Sequence, residues 1–207
     1  YLERVIRQYP RSRKFEEAVV YLADYYFEKT KFRDALAKYS ILLHRGDSPL
    51  FPYARYKIAW CDLNLNQPRK GLAGMQAVVE MLSGATEKSK FNLREQALRD
   101  LTIFFAEVEA VEEATSYFAD KVGRDKMLEN LRLIADILRS KARDIPASKA
   151  YSKLLEEYPD TLESPNFALG LHDSQNRLGR TEHAVKVMEE ACERYGEKSS
   201  WAEKFKE

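Results

Sequence analysis

The sequence predicts an all-α protein made of repeated antiparallel helix pairs, and three observations carry that expectation. Apolar residues recur at spacings of three and four, which puts them on one face of a helix. The runs are interrupted by short polar or Gly- and Pro-containing joints, as between paired helices. A small residue recurs at positions 35, 71, 114, 147 and 184, at intervals of 36, 43, 33 and 37. No stretch of strand-like alternation competes with this pattern.

Taken in order, Leu2, Val5 and Ile6 followed by Tyr9-Pro10 read as the second helix of a pair, a half repeat over residues 1–11. The same ending returns as Tyr151, Leu154, Leu155 and Tyr158-Pro159. The stretch from Phe15 to Ser48, within a repeat at about 15–49, is the clearest pair. Val19, Leu22, Ala23 and Tyr26 share one helical face and Ala35, Tyr39 and Leu42 another, across a break at Glu28-Lys29-Thr30-Lys31. The next repeat, 51–84, has a first helix FPYARYKIAWCDLNL and a second starting near Pro68, a residue suited to a first helical turn.

In 93–123, Leu98, Leu101, Thr102 and Phe105 form one face and Ala114 and Phe118 the other, with Gly123 closing the second helix. The polar stretch Ala85–Asn92 before it is either a loop or an extension of the first helix. In 127–160, Leu131, Ile134, Ala135 and Leu138 pair with Ala147, Tyr151 and Leu154, with Asp144 and Pro146 at the helix start. In 164–196, Ser164-Pro165 reads as an N-cap and a first-position proline, and Gly179 as a stop. Trp201 and Phe205 mark a terminal helix, 198–207.

These units resemble the tetratricopeptide repeat (TPR), whose pattern runs Trp-like residue, Leu-Gly, Tyr, Ala, Phe and a closing Pro at a period of roughly 34 residues. Leu22-Ala23, Tyr26, Ala35 and Tyr39 fit it in the first pair; Ile58-Ala59, Gly71 and Met75 fit in the second. Asp62 and Gln175 stand where Tyr is expected, and His172 where Gly is expected. The resemblance implies a right-handed superhelical solenoid, about five repeats plus partial helices at both ends, spanning 1–207 as a single fragment of a larger protein. Over Tyr1–Val79, aromatic-rich runs such as AVVYLADYYF and YARYKIAW are similar to TPR modules of bacterial cell-envelope proteins. That similarity implies a periplasmic or envelope location, with the cytoplasm as the alternative.

Charge narrows the partners. Lys plus Arg is 34 and Asp plus Glu is 33, a balance that argues against a dedicated nucleic-acid or anionic-membrane surface. No apolar run approaches the length of a membrane span, so no direct insertion is expected. Cys61 and Cys192 fall in distant repeats, so no disulfide is expected.

By resemblance, the first helices line a concave surface, and partner contacts are expected at Phe27, Tyr53, Tyr56, Trp60, Asn64, Arg99, Ile103 and Arg132. Tyr53, Tyr56, Trp60 and Leu63 form a stripe at helical spacing, and Ala54, Ile58, Cys61 and Leu65 a second one on the same helix. Such a helix is either sandwiched in the core or keeps one face for a partner. Val20 and Asp24 occupy the places where chaperone-binding relatives carry Lys and Asn, so a clamp for a C-terminal carboxylate is not expected. Acidic residues at 17, 24, 28, 107, 129, 136 and 173 outnumber Arg99, Arg132, Arg139 and Arg177 on this surface. RNA readers need the opposite balance. The arginines read either as an anion-reading stripe or as a solvated face of ion pairs, Asp136 lying between Arg132 and Arg139.

His44, His172 and His183 form no HxxxH or HExxH, and no P-loop, GxGxxG or GxSxG is present. The expectation is a non-catalytic module without metal or cofactor that binds a protein or peptide. A spacer, a self-associating homo-oligomer or the recruiting arm of a larger enzyme are the alternatives.

Overall fold

The structure, a computed structural model, describes residues 1–205, and every regular element among them is an α-helix. In chain order they are α1 (Leu2–Gln8), α2 (Phe15–Glu28), α3 (Phe32–Leu42), α4 (Phe51–Asn64), α5 (Pro68–Met81), α6 (Lys88–Val108), α7 (Val111–Val122), α8 (Arg124–Ser140), α9 (Asp144–Glu157), α10 (Ser164–Arg177), α11 (Thr181–Tyr195) and α12 (Ser200–Lys204). Their contacts group into two compact units, Tyr1–Phe104 and Phe105–Glu207. The last two residues of the expected terminal helix lie outside the described residues.

One turn recurs five times. Thr30, Asn66, Glu109, Ala142 and Gly179 each adopt a left-handed conformation, with φ of 56°, 62°, 57°, 54° and 73°. The next N–H then reaches the carbonyl five residues back: Lys31 to Tyr26, Gln67 to Asp62, Ala110 to Phe105, Arg143 to Leu138 and Arg180 to Gln175. This is the hydrogen bond of a Schellman ending, and in the α2–α3, α4–α5, α8–α9 and α10–α11 pairs it folds the first helix onto the second. Only the last of the five is a glycine; the other four carry a Cβ in a conformation costing roughly 1 kcal/mol.

In the first unit, α2–α3 and α4–α5 are hairpins, α1 packs on α2, and α3 packs on α4. The core joins Phe15, Val19, Val20, Ala23, Ala35, Tyr39, Leu42, Ala54 and Cys61. The small residues work as spacers: a Cβ at Gly71 would lie 2.9 Å from the Ala59 carbonyl oxygen and 3.0 Å from the Phe104 ring. Asp62, which displaces the expected Tyr, is buried and held by Lys70 at 2.8 Å. The polar stretch before the third pair is divided: residues 85–87 are a non-helical joint, and from Lys88 onward it belongs to α6.

In the second unit, α7 packs on α8, and α8–α9 and α10–α11 are hairpins with α9 packed on α10. Ala114, Phe118, Leu131, Ile134, Ala135, Leu138, Ala147, Tyr151 and Leu154 are all buried. α12 closes its far end. The Trp201 indole meets Tyr195 edge to face, lies tilted against Phe205 and donates to the Thr161 carbonyl at 2.8 Å.

Two expected helix starts need correction. The N-cap of α9 is Arg143 and that of α10 is Glu163, so Asp144 and Ser164 lie one place inside. Both side chains serve longer-range contacts instead. Asp144 pairs with Arg177 at 2.6 Å; the Ser164 hydroxyl donates to the Tyr158 carbonyl and accepts from the Thr161 N–H, each at 2.8 Å. The close helix crossing expected at His172 sits at Gly170, where a Cβ would come within 2.5 Å of the Tyr151 ring. His172 is half-buried beside Asp173 at 3.1 Å.

Candidate functional site: an aromatic depression on the first unit

Phe27 and Glu28 at the end of α2, Thr30 in the turn, Phe32 opening α3, and Tyr56, Lys57, Trp60 and Asn64 along α4 surround an open depression of about 520 Å³. The helical period brings Tyr56, Trp60 and Asn64 onto one line of α4, while the tight α2–α3 turn brings Phe32 to Phe27. The Phe27 and Phe32 rings meet edge to face at 5.3 Å and 76°. Trp60 rests on the fully buried Phe104 ring at 5.0 Å and 65°. Lys57 lays its ammonium 3.7 Å from the centre of the Phe27 ring, and its Nζ lies 3.7 Å from Asp24.

The polar ends of these aromatics are already committed. Asp100, buried on α6, accepts from the Tyr56 hydroxyl at 2.6 Å, the Trp60 indole N–H at 3.3 Å and the Gln96 amide at 2.8 Å. Asp24 accepts from the Tyr53 hydroxyl at 3.0 Å and from Tyr39. Tyr56 and Trp60 therefore turn ring carbon, rather than O–H or N–H, toward the opening. Polar groups remain on its rim, where Glu28 and Asn64 are exposed and the Asn64 amide donates to the Trp60 carbonyl at 2.8 Å.

Burial first, and the adjacent carboxylate second, push the phenols of Tyr39, Tyr53 and Tyr56 above the ordinary tyrosine range, and Tyr151 beside Asp136 likewise. The folded chain thus holds these groups neutral at a pH where the unfolded chain ionises them, near 10. Their contribution to stability is complete below about pH 10 and is lost as the pH rises beyond it. Alkaline titration is expected to show their phenolate absorbance appearing together with loss of helical circular dichroism, and Tyr53→Phe with Tyr56→Phe should flatten that pH dependence. Burial also pushes the Cys61 thiol up to about 12.

Of the eight residues expected at a partner surface, Phe27, Tyr56, Trp60 and Asn64 line the depression. Tyr53 lies beside it, packed against the first core, its ring 6.5 Å from that of Tyr39. Arg99 is exposed on α6, donating to Gln96 at 3.0 Å, and Ile103 is half-buried on the same helix; neither lines the depression. Arg132 belongs to the second unit, where it pairs with Asp136 at 3.8 Å and Glu163 at 3.2 Å. Arg139 meets Asp173 at 3.6 Å and Asp136 at 4.0 Å. With Arg177 on Asp144, these arginines form the paired, solvated face that the spacing allowed as one reading.

Lys57, Thr30 and Phe32 escaped the sequence reading. Phe32 could have been found as an aromatic opening a second helix five residues after Phe27. Nothing local marks Lys57, whose partners lie on α2. Among the described residues, no three His, Cys, Asp or Glu side chains converge to hold a metal ion.

Solved structures share this architecture. A tetratricopeptide repeat protein from Parabacteroides merdae superposes with a TM-score of 0.52 at 16% identity, over 91% of this chain and 69% of its own. A fragment of MamA from Desulfovibrio magneticus gives 0.50 at 10% identity, over 87% and 94%. The fold is that of tetratricopeptide-repeat proteins, a solenoid of helix hairpins. No protein-family profile and no curated protein sequence matches the chain.

Proposed function

We propose that the chain is a non-catalytic protein-interaction module that seats an apolar or aromatic side chain of a partner segment in the depression formed by α2, α3 and α4. One observation carries this reading: Tyr56 and Trp60 have their polar atoms engaged by Asp100, so with Phe27 and Phe32 they offer ring surface to an occupant. Rigid aromatic walls bury much area at little entropic cost, which is how hot spots are built. Thr30, Glu28 and Asn64 at the rim can hydrogen-bond the partner's backbone and fix its register. The repeat fold supports a holding role, and the ion-paired arginines of the second unit argue against a polyanionic partner. An envelope location, inferred from the aromatic-rich repeats, belongs to the same proposal, and cell fractionation of the native gene product tests it.

The test is capture of partner protein by the wild-type chain beside Phe32→Ala and Trp60→Ala, with helical content checked by circular dichroism. Trp60→Ala is expected to weaken binding by at least about 2 kcal/mol, roughly 30-fold. Phe32→Ala, at the mouth, should weaken it without loss of helix. Undiminished capture by both folded variants would move the binding surface elsewhere.

A further inference from the structure

One place in the repeat is filled differently in each hairpin. Nine residues ahead of the small residue, the first helices carry Tyr26, Asp62, Phe105, Leu138 and Gln175. Phe105 and Leu138 are fully buried apolar side chains, and Tyr26 is half-buried. Asp62 is buried too, but Lys70 of its own second helix pairs with it at 2.8 Å. Gln175 is only 4% exposed, and the counterpart of Lys70 in its hairpin is the exposed His183. The Gln175 side-chain carbonyl accepts from the Arg180 guanidinium at 3.5 Å, the outer limit of a hydrogen bond. Among the described residues nothing accepts from its amide nitrogen, and that nitrogen is not sealed in by protein. Buried polar groups are rarely left without a partner.

Gln175 lines a pocket of about 580 Å³ bounded by α7, α9 and the α10–α11 turn, all within the second unit. Arg180 lines it as well and is a cation that the protein leaves uncompensated. On the walls Lys149 pairs with Glu112 at 3.9 Å and Lys153 with Glu156 at 3.2 Å. Every other arginine of this unit meets a carboxylate; among the described residues Arg180 meets none. The pocket also offers acceptors. The Thr115 and Ser148 hydroxyls donate to the Val111 and Ile145 carbonyls of their own helices, each at 2.9 Å. Their protons are thereby committed, and only lone pairs remain for an incoming N–H.

We propose that this pocket binds an acidic side chain, Asp or Glu, of an extended protein segment. The carboxylate accepts from the Arg180 guanidinium fork and from the Gln175 amide, charge-assisted bonds that satisfy both groups at once. The segment's own N–H groups donate to Thr115 and Ser148. With both lysines paired, one positive charge is left over, which suits a single carboxylate and not a dianionic phosphate. Thr115 on α7 and Ser148 on α9 can serve N–H groups on either side of the acidic residue, which a chain terminus carries on one side only. The site belongs to the second unit, and its test does not depend on what the aromatic depression of the first unit holds.

The test is nuclear magnetic resonance of the isotope-labelled chain, following the Arg180 Nε–H and the Gln175 side-chain amide. The probes are acetyl-Gly-Glu-Gly-amide, its neutral counterpart acetyl-Gly-Gln-Gly-amide, acetyl-Gly-Gly-Gly with a free C-terminus, acetate and inorganic phosphate. The Glu peptide is expected to shift both signals saturably. The Gln peptide should bind at least about tenfold more weakly, and Arg180→Gln should weaken the Glu peptide as much. Arg180 is exposed, so that variant leaves the core alone. Gln175→Leu is expected to stay folded, because Leu138 fills the same place in the preceding hairpin, and to bind several-fold more weakly. Circular dichroism checks the helical content of both variants. Absence of a saturable shift leaves water as the occupant and overturns the proposal. So does equal binding of the Gln peptide, or undiminished binding by the folded variants. Acetate or phosphate acting as strongly as the Glu peptide reduces the site to general anion attraction, and tighter binding of the free C-terminus moves it to a chain end; either result overturns the side-chain assignment.

Discussion

Phe104→Ala is expected to destabilise the first unit by about 3–5 kcal/mol, the range for removing a buried aromatic. The ring is fully buried, backs the Trp60 indole at 5.0 Å and fills the space that the absent Gly71 side chain leaves. Its loss opens a cavity that α4 and α5 cannot close without moving Ala59 and Gly71, which already touch. Denaturation in urea measures the loss, and hydrogen exchange mapped by peptide locates it: α4 and α5 should exchange faster. Phe104→Leu, which keeps most of the volume, should recover a large part. Because Trp60 loses its support, Phe104→Ala is also expected to weaken partner binding without touching the partner.

Tyr151→Ala is the counterpart in the second unit, again about 3–5 kcal/mol. Its ring is packed against Gly170, its hydroxyl donates to Asp136 at 2.7 Å, and Arg139 lies over it at 5.8 Å. Truncation leaves a cavity and removes the hydroxyl donor of Asp136, which keeps Arg132 and Arg139 beside it. The pair with Gly170 gives a sharper readout. Gly170→Ala in the wild type gains roughly 1 kcal/mol of helix propensity but forces a Cβ onto the ring, an overpacking cost of about 1–3 kcal/mol. In a Tyr151→Ala background that clash is gone, so Gly170→Ala should become stabilising. A double-mutant cycle with no coupling between the two positions would contradict the packing described.

The hairpins were legible because their signals are local. The recurring small residue is buried in all five, at Ala35, Gly71, Ala114, Ala147 and Ala184, since two helices cannot approach over a larger side chain. What escaped depends on partners far along the chain. Asp24 reads as part of an acidic concave surface, yet it is the acceptor for Tyr39 on α3 and Tyr53 on α4. Asp100 shows no local signal, because Tyr56 and Trp60 reach it across 44 and 40 residues. Phe104 was missed because a single-stripe reading of α6 finds Leu98, Leu101, Thr102 and Phe105, while this helix is also buried toward α4. The question of whether the α4 stripe is core or surface has a divided answer. Tyr53 belongs to the edge of the core; Tyr56 and Trp60 have buried polar ends and accessible ring faces. Of the five left-handed turn residues, Gly179 and Asn66 are types that favour the conformation, whereas Thr30, Glu109 and Ala142 gave no warning.

Those five turns have a kinetic consequence. Each closes through a hydrogen bond spanning five residues and joins two helices adjacent in sequence. Helical chains with such short-range contacts fold in roughly microseconds to milliseconds, because little loop entropy is lost before contacts form. Repeat chains can nucleate at any of their units and grow outward. During synthesis, each hairpin here can close once its own second helix has left the ribosome, before the residues that will cover it exist. A nascent chain of this protein would therefore show its freshest hairpin's uncovered face to solvent at every stage, and a slowed ribosome would prolong that exposure.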